Sequence, residues 1–339
     1  MRIFLTGHLG NVGSVLAEKL IKNNFHVTGT DIGYFPNDFL PTKANLIKNI
    51  KKDIRDVTKE DLTGHDIVIH LAALSNDSSG EINPSLTTEI NHYATVNLAK
   101  IAKNVGVKKF LYASTCSIYG INKEVVNENS ELNPLTAYAK SKADSEKDII
   151  KLNDTEFSPV ILRCGTVYGL SPSFRLDLVV NNLTGSAFTT GVVKLFSDGS
   201  AFRPLLHVND MVNAFIELSK SPNELVGGEI YNIGSNDDNY TVKEIAALVG
   251  EVIPNSEIKI SQNAFIDSRS YKVDFSKIKN HIDYKTKQNL KEGIREIYNT
   301  LKGKKFSEKN FKNKNFYRVK YLKWLIEKNF IDNELRLCS

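Results

Sequence analysis

Cysteine, tryptophan and long apolar runs are all scarce in this chain of 339 residues. Its three cysteines, Cys116, Cys164 and Cys338, show no metal-ligand spacing and do not make an even set. The sequence therefore argues against a disulfide framework and predicts a reducing, cytoplasmic location. No run of about 20 apolar residues is present, so no membrane span is predicted. Met1–Gly7 lacks the apolar region of a signal peptide and is interpreted as a strand running into a turn.

Metal-binding patterns and repeats are absent from the sequence as well. Its seven histidines are scattered without a His-x-x-x-His pair or a carboxylate cluster, so no metal site is predicted. The hydrophobic content of 41% excludes intrinsic disorder. The length predicts about two domains, with enough buried surface to need no disulfide or metal.

The net charge of +5 is concentrated at the end of the chain. Residues 302–339, here called the C-terminal extension, hold 11 lysines and arginines against 4 acidic residues, so residues 1–301 are slightly acidic. No nucleic-acid partner is therefore predicted. The extension is interpreted as a solvated basic linker and a helical pattern over Tyr317–Leu335 that packs on the body. Contact with an acidic partner or a membrane surface is the alternative.

Apolar strands alternate with amphipathic helices through the first half of the chain. Strands are predicted at Arg2–Thr6, His26–Asp31, Asp66–Ala72, Lys108–Ala113 and Pro159–Arg163, and long helices at Ser85–Lys103 and Leu135–Lys151. This order predicts an α/β fold with a Rossmann-type, doubly wound parallel sheet.

The second half predicts a smaller α/β substrate-binding domain that is interleaved with the first. A helix is expected at Leu176–Ala187, a sheet strand at Arg203–Val208, and a helix at Met211–Lys220 capped by Asp210. The dinucleotide-binding domain is predicted to comprise residues 1–168 and about 203–233. The substrate domain is predicted to comprise about 169–202 and 234–301, followed by residues 302–339.

A glycine-rich loop follows the first strand and precedes a helix. In the segment Thr6–Gly13, three glycines permit a tight turn and a close approach of the backbone to a pyrophosphate at the helix N-terminus. Asp31 ends the next strand, where an acidic residue accepts the ribose hydroxyls of NAD and repels the extra phosphate of NADP. Together these features predict an NAD site.

Two further segments supply groups suited to proton transfer. Tyr138 and Lys142 are four residues apart and share a helix face, and a nearby ammonium group lowers the pKa of a phenol. Thr115 closely follows the strand Lys108–Ala113, at the sheet edge where parallel sheets bind ligands. Taken alone, a Tyr–Lys pair at this spacing is usually a solvated helix face.

The sequence resembles the extended short-chain dehydrogenase/reductases, specifically their nucleotide-sugar epimerase/dehydratase group. The resemblance covers about residues 1–300. Its ordered motifs are TGHLGNVG, Asp53-Ile54, His70-Leu71-Ala72-Ala73, STCSIYG, YAKSK, Leu162-Arg163 through Val167-Tyr168-Gly169, and Arg203 through Asp210.

This resemblance implies a role for each site residue. Thr115, Tyr138 and Lys142 are the implied catalytic set: Tyr138 removes a proton from a sugar hydroxyl, Thr115 shares that hydrogen bond, and Lys142 binds the nicotinamide ribose. The implied NAD contacts are Gly7, Gly10, Asn11, Val12, Gly13, Asp31, Asp53, Ile54, Leu71, Ala72, Ala73, Tyr138 and Lys142. The implied substrate contacts are Thr115, Thr166, Asn182, Arg203 and Arg269, with the two arginines clamping a diphosphate.

Departures from the family pattern narrow the reaction. Cys116 and Ser117 stand where sugar 4,6-dehydratases carry carboxylates, which argues against elimination. Members that catalyse 3,5-epimerisation carry a cysteine where this chain has Ser117, which argues against that reaction. Cys116 lies one residue earlier and is interpreted as an inert, buried core residue. Thr166 and Gly165 replace an asparagine and an aromatic residue, which predicts a roomier sugar pocket.

The leading hypothesis is an NAD-dependent nucleotide-sugar 4-epimerase, with a nucleotide-diphosphate sugar as substrate. The alternative is a net C4 dehydrogenase or 4-keto reductase, which needs the same three residues. A non-catalytic dinucleotide sensor is the remote alternative, and such relatives typically lack the Tyr/Lys pair. The resemblance also implies a homodimer through Ser85–Lys103 and Leu135–Lys151.

Overall fold

The computed structural model describes residues 1–265 and 269–338. In chain order its strands are β1 Arg2–Thr6, β2 His26–Asp31, β3 Lys48–Lys51, β4 Ile67–His70, β5 Lys109–Thr115, β6 Val125–Val126, β7 Ser158–Cys164, β8 Thr166–Tyr168, β9 Val192–Ser197, β10 Phe202–His207, β11 Ile230–Ile233, β12 Asn239–Thr241, β13 Glu257–Phe265 and β14 Lys272–Val273. Its helices are α1 Asn11–Lys22, α2 Lys59–Leu62, α3 Asp77–Gly80, α4 Pro84–Thr88, α5 Ala94–Asn104, α6 Ala137–Ile150, α7 Val179–Thr190, α8 Val208–Lys220, α9 Asn223–Val226, α10 Val242–Val252, α11 Ser276–Ile282, α12 Leu290–Gly303, α13 Glu308–Phe311 and α14 Arg318–Glu327.

The large sheet has seven strands in the order β11-β7-β5-β4-β1-β2-β3, and all of its pairings are parallel. The chain winds outwards in both directions from β1, so β1 and β4 form a topological switch point. Ligands bind outside the carboxyl ends of the strands at such a point. The predicted Rossmann-type α/β fold is confirmed.

Both faces of this sheet are buried, as a parallel sheet requires. Along β1, Ile3 and Leu5 belong to a core that includes residues of α1 and α8. Phe4 points to the opposite face and belongs to a core that includes residues of α5 and α6. The alternation follows from the two-residue period of a strand.

The second half of the chain forms smaller sheets and a separate core. The strand predicted at Arg203–Val208 is present as β10, but it pairs with β8 and β12 in a three-stranded sheet rather than joining the large one. Asp210 does not cap the helix that follows. His207 is the N-cap of α8, and the Asp210 carboxylate instead accepts backbone N–H bonds from Lys287 and Gln288, each of 3.0 Å.

Two predicted helices differ from the structure. The helix predicted over Ser85–Lys103 is divided into α4 and α5 by a π-helical turn at Glu89–Tyr93. The helical pattern over Tyr317–Leu335 forms α14 only as far as Glu327, and a turn then returns Ile331 and Leu335 to a buried cluster. The linker before α14 is not simply solvated, because Phe306 is buried and its ring contacts those of Phe39 and Phe316.

Among the described residues, no helix is both long enough and apolar enough to cross a membrane. The same part of the chain contains no group of three or more His, Cys, Asp or Glu side chains that could hold a metal ion.

A buried ion pair joins the helix α6 to the sheet. Arg163 on β7 and Glu146 on α6 are 4% and 3% exposed, and their side chains meet at 2.8 Å. Glu146 also accepts a hydrogen bond from Ser114, and Arg163 donates one of 3.0 Å to Tyr119. The pair therefore holds α6 against the end of β5.

We expect Arg163→Met to lower the free energy of unfolding by about 3–5 kcal/mol, because it leaves the Glu146 carboxylate buried without its cation. Urea denaturation measures this change. The control is Arg295→Met, since Arg295 and its partner Glu292 are both exposed, and exposed pairs contribute only about 0–1 kcal/mol. An Arg163 variant as stable as the control would contradict the expectation.

Candidate active site

A cavity of about 510 Å³ opens above the carboxyl ends of β1 and β4. Its volume lies within the range of about 300–1,000 Å³ that is typical of small-molecule sites. The structure brings together in its walls all but one of the residues predicted for cofactor, catalysis and substrate. Those residues are Gly7, Gly10, Asn11, Val12, Gly13, Asp31, Asp53, Ile54, Leu71, Ala72, Ala73, Thr115, Tyr138, Lys142, Thr166, Arg203 and Arg269.

The glycine loop forms the floor of the cavity and leaves no room for side chains at two positions. A Cβ on Gly13 would lie 2.0 Å from the carbonyl oxygen of Gly7. Gly7 itself has a φ of 72°, and a Cβ there would lie 2.8 Å from the backbone nitrogen of Ala72. The loop can therefore turn tightly into α1, whose first residues line the cavity, and helix N-termini of this kind suit anions.

Two carboxylates mark the half of the cavity next to β2 and β3. Asp31 accepts N–H bonds from Leu9 at 3.1 Å and Gly33 at 2.8 Å, which fixes its position beside the glycine loop. Asp53 accepts hydrogen bonds from Arg55, including one of 2.8 Å from its guanidinium group. These side chains fit the ribose and adenine of a dinucleotide, so the residues present suit NAD.

The predicted catalytic residues meet on the opposite wall. Thr115 ends β5, and its hydroxyl, which is bonded to Ser117, acts on the phenol of Tyr138 and lowers its pKa. Lys142 lies one turn after Tyr138 on α6. Its ammonium donates a 2.8 Å bond to the carbonyl of Ala113 and lies 4.6 Å from the centre of the Tyr112 ring.

The electrostatics of this wall differ from the sequence expectation. Burial raises the pKa of Tyr138, the nearby Asp77 carboxylate raises it further, and the Thr115 hydroxyl opposes both effects. Burial lowers the pKa of Lys142 to about 8. The Lys142 ammonium donates to the backbone of β5. In the cofactor-free protein it therefore does not lower the pKa of Tyr138 towards 7. The pKa of the Tyr138 phenol is therefore raised rather than lowered in the cofactor-free protein.

Arg203 and Arg269 lie together, as their predicted shared role requires. Arg203 donates to the backbone carbonyl of Arg269 and to that of Phe202, the second bond being 2.8 Å long. Arg269 forms a 3.0 Å ion pair with Asp77. Asp77 also accepts a 2.7 Å bond from Thr136, the N-cap of α6.

The sequence analysis did not single out Asp77. It considered carboxylates only at positions 116 and 117 and found none there, whereas the structure places Asp77 near Tyr138. The only available signal was its place a few residues after β4, at the sheet edge where ligands bind. Because Asp77 is held by Arg269 and Thr136, it is tied to a cation and a helix cap rather than free for elimination chemistry.

We expect Asp77→Asn to shift the acidic limb of the pH–rate profile to lower pH. Removing the negative charge favours the phenolate of Tyr138, so its pKa falls and the deprotonated form is reached at lower pH. The pH dependence of kcat measures this shift. Asp144→Asn is the matched control, since Asp144 is exposed on α6, the helix that carries Tyr138. An unmoved limb, or one moved upwards, would contradict the expectation.

Asn182 is the predicted site residue that does not line the cavity. Its side-chain amide donates a 2.7 Å bond to the carbonyl of Leu176. The neighbouring residues Leu178 and Val179 reach the cavity instead.

Asn91 is a buried residue that positions the site and that sequence reasoning did not single out. Its side chain accepts a 2.8 Å bond from the N–H of Leu74 and donates one of 3.1 Å to the carbonyl of Leu74. It also donates a 3.2 Å bond to Ser141, next to Lys142 on α6. Asn91 lies in the π-helical turn between α4 and α5, a feature that often occurs at functional sites.

A parallel sheet with a glycine loop at its switch point, beside a helix carrying Tyr-x-x-x-Lys, defines an extended short-chain dehydrogenase/reductase. The model of the NAD dependent epimerase/dehydratase family matches residues 3–234. The chain belongs to this family and is an NAD-dependent enzyme.

Curated relatives cover most of the chain. It is 31% identical over 311 residues to UDP-glucuronic acid decarboxylase 3 of Arabidopsis thaliana, and the match covers 87% of each protein. It is 28% identical over 312 residues to an uncharacterized UDP-glucose epimerase, YtcB, of Bacillus subtilis. This match covers 87% of this chain and 96% of the relative. The solved UDP-glucuronic acid 4-epimerase of Bacillus cereus, in complex with UDP-glucuronic acid and NAD, matches with a TM-score of 0.76. It is 24% identical, covers 89% of this chain and 99% of its own, and shows the likeness of the fold.

Proposed function

We propose that the protein is a nucleotide-sugar 4-epimerase. The observation that carries this proposal is the placing of Thr115, Tyr138 and Lys142 on one wall of a cavity whose floor is the glycine loop. Two arginines, Arg203 and Arg269, lie in the same cavity and suit the diphosphate of a nucleotide sugar. The UDP sugars named for its relatives are the first substrates to test.

The proposed reaction oxidises one sugar carbon, most simply C4, and reduces it again from the other face. Bound NAD supplies the hydride acceptor and then the hydride donor. Tyr138 takes the proton of the C4 hydroxyl as the hydride leaves, and Thr115 holds the same oxygen by a hydrogen bond. When the carbonyl is reduced, Tyr138 returns the proton. Lys142 holds the ribose of the cofactor next to the phenol.

The absence of carboxylates at positions 116 and 117 supports simple redox over elimination. Cys116 is 1% exposed, burial raises the pKa of its thiol, and its sulfur donates to the carbonyl of Arg163. Ser117 lies in the cavity and its N–H is bonded to Thr115. Neither group is a base for abstracting a carbon-bound proton.

Product analysis distinguishes the 4-epimerase from its rivals. The protein is incubated with UDP-glucose, UDP-galactose and UDP-glucuronic acid, while NADH absorbance, carbon dioxide release and sugar products are followed. We expect the 4-epimer of one substrate, with no net NADH and no carbon dioxide. Stoichiometric NADH would establish a net dehydrogenase instead, and carbon dioxide with a UDP-pentose would establish a decarboxylase.

We further propose a cytoplasmic homodimer that pairs through α5 and α6 and the π-helical turn between α4 and α5. The dimer is supported by Tyr93 in that turn, a large side chain that is 63% exposed. The cytoplasmic location is supported by the free thiols of Cys116 and Cys164. Light scattering of the purified protein tests the dimer, and a monomeric mass would contradict it.

A further inference from the structure

The C-terminal extension covers the half of the cavity assigned to the adenosine end of the cofactor. Leu322 and Leu325 of α14 pack in one cluster with Leu74 and Ile90, which follow β4. On the other side, the hydroxyl of Tyr34, just after β2, donates to the carbonyl of Leu335. Leu335 itself lines the cavity. The extension therefore spans the cavity from the β2 side to the β4 side.

Arg318, the first residue of α14, connects the C-terminal extension to the glycine loop through Ser173. Its side chain is buried, with only 4% of the residue exposed. One terminal nitrogen, Nη2, donates to Ser173, at 2.7 Å to the hydroxyl and 3.2 Å to the carbonyl. The guanidinium lies 4.0 Å from the centre of the Phe35 ring. These contacts hold the group in one orientation.

The other terminal nitrogen of Arg318, Nη1, is buried and has no hydrogen-bond partner among the described residues. Arg318 lines the cavity. Leaving a buried charged donor unpaired costs free energy, so such a group is expected to have a partner when the site is filled. Burial lowers the pKa of Arg318 and the nearby Arg175 lowers it further, while the carboxylates of Asp177 and Asp31 oppose both effects. Because Nη1 is a cationic donor in the lining of the cavity, an anion is the partner that suits it best.

Ser173 links Arg318 to the start of α1. The side chain of Asn11, the first residue of α1, donates a 3.2 Å bond to the same Ser173 carbonyl that Arg318 contacts. Asn11 also donates a 2.7 Å bond to Ser171. Ser173 thus joins Arg318 to Asn11 at the N-terminus of α1. That helix N-terminus is the one whose N–H groups suit a pyrophosphate.

We propose that Arg318 binds the pyrophosphate of the dinucleotide and that the C-terminal extension closes over the cofactor to retain it between turnovers. This inference rests on the dinucleotide site at the glycine loop. The sugar substrate would bring a second diphosphate into the cavity, and its proposed ligands are Arg203 and Arg269. Retained cofactor suits an epimerase, which regenerates NAD in every cycle, whereas a net dehydrogenase must release NADH.

The test compares Arg318→Met with the wild-type protein after bound nucleotide has been removed. Isothermal titration measures the Kd for NAD, ADP-ribose and UDP, and competition against NAD measures that for adenosine. Losing one charge-assisted contact should raise the Kd for NAD and ADP-ribose about 10- to 100-fold. The Kd values for adenosine, which lacks phosphate, and for UDP should stay unchanged. The rate of NAD release should rise with the Kd.

Arg295→Met is the matched control, because Arg295 is exposed on α12 and should leave every Kd unchanged. Arg318→Lys keeps the positive charge and should recover part of the affinity for NAD. Equal weakening of adenosine and NAD would overturn the proposal and leave Arg318 a structural residue. Weakening of UDP alone would overturn it by assigning Arg318 to the substrate. A wild-type protein that binds no NAD would instead contradict the dinucleotide site.

Discussion

Tyr138→Phe should lower kcat by roughly 100- to 10,000-fold, because it removes the group that takes and returns the proton of the reacting hydroxyl. The ring would keep its place on α6, and Thr115 would still face the sugar oxygen. Binding of NAD and of the nucleotide sugar should therefore change little. Steady-state kinetics and titration calorimetry measure these two effects separately.

The control for this substitution is Tyr298→Phe, since Tyr298 lies on α12, away from the cavity walls and the proposed dimer interface. It should retain wild-type turnover. If Tyr138→Phe kept more than about a tenth of kcat, the proton would be passing through another group. If the wild-type protein bound NAD but turned over no sugar, and the substitution changed nothing, the chain would be a dinucleotide sensor.

Lys142→Met should have opposite effects on activity and on stability. Activity should fall at least 100-fold in kcat/KM, because the nicotinamide ribose loses its proposed ligand beside Tyr138. The cofactor-free protein should become more stable at pH 7, by on the order of 1–3 kcal/mol, since a buried ammonium is removed. This range allows for the lost bond to Ala113 and the lost contact with the Tyr112 ring.

The pH dependence of this stability difference follows from the pKa of Lys142. Burial lowers it to about 8 in the folded state, against about 10.4 for an unfolded lysine. The folded wild type therefore binds fewer protons than the unfolded chain between these values, and its stability rises with pH there. The advantage of Lys142→Met should be full below about pH 8 and should vanish above about pH 10.

Lys140→Met is the control for both measurements, because Lys140 is exposed on the same helix. It should alter neither turnover nor the pH dependence of unfolding. A Lys142→Met protein that is less stable than wild type at pH 7 would contradict the expectation. Its contacts with Ala113 and Tyr112 would then outweigh the cost of burying its charge.

The parts of the fold and site that could be predicted from the sequence are those set by local geometry. The turn from β1 into α1 requires glycine at position 13, where a Cβ would meet the Gly7 carbonyl at 2.0 Å. The spacing of Tyr138 and Lys142 places both on one helix face. The buried strands of the parallel sheet are continuous apolar runs that end where the site residues begin.

The parts that could not be predicted depend on contacts between distant segments. Arg318 meets Ser173 across 145 residues, and Arg269 meets Asp77 across 192. No periodicity or local spacing signals such a pair. Asp210 illustrates the same limit, because an acidic residue near a helix start favours a cap. Its carboxylate is instead taken by the backbone of Lys287 and Gln288, about 77 residues away.

The most direct test of the proposed chemistry follows a hydride through the active site. The substrate is a UDP sugar that carries deuterium at C4, and the product is examined by NMR after partial conversion in ordinary water. An epimerase that oxidises and re-reduces C4 with its own bound NAD should return the deuterium to C4 of the epimer, without releasing NADH. Product with hydrogen at C4, or deuterium recovered in free NADH, would contradict a closed cycle on the enzyme.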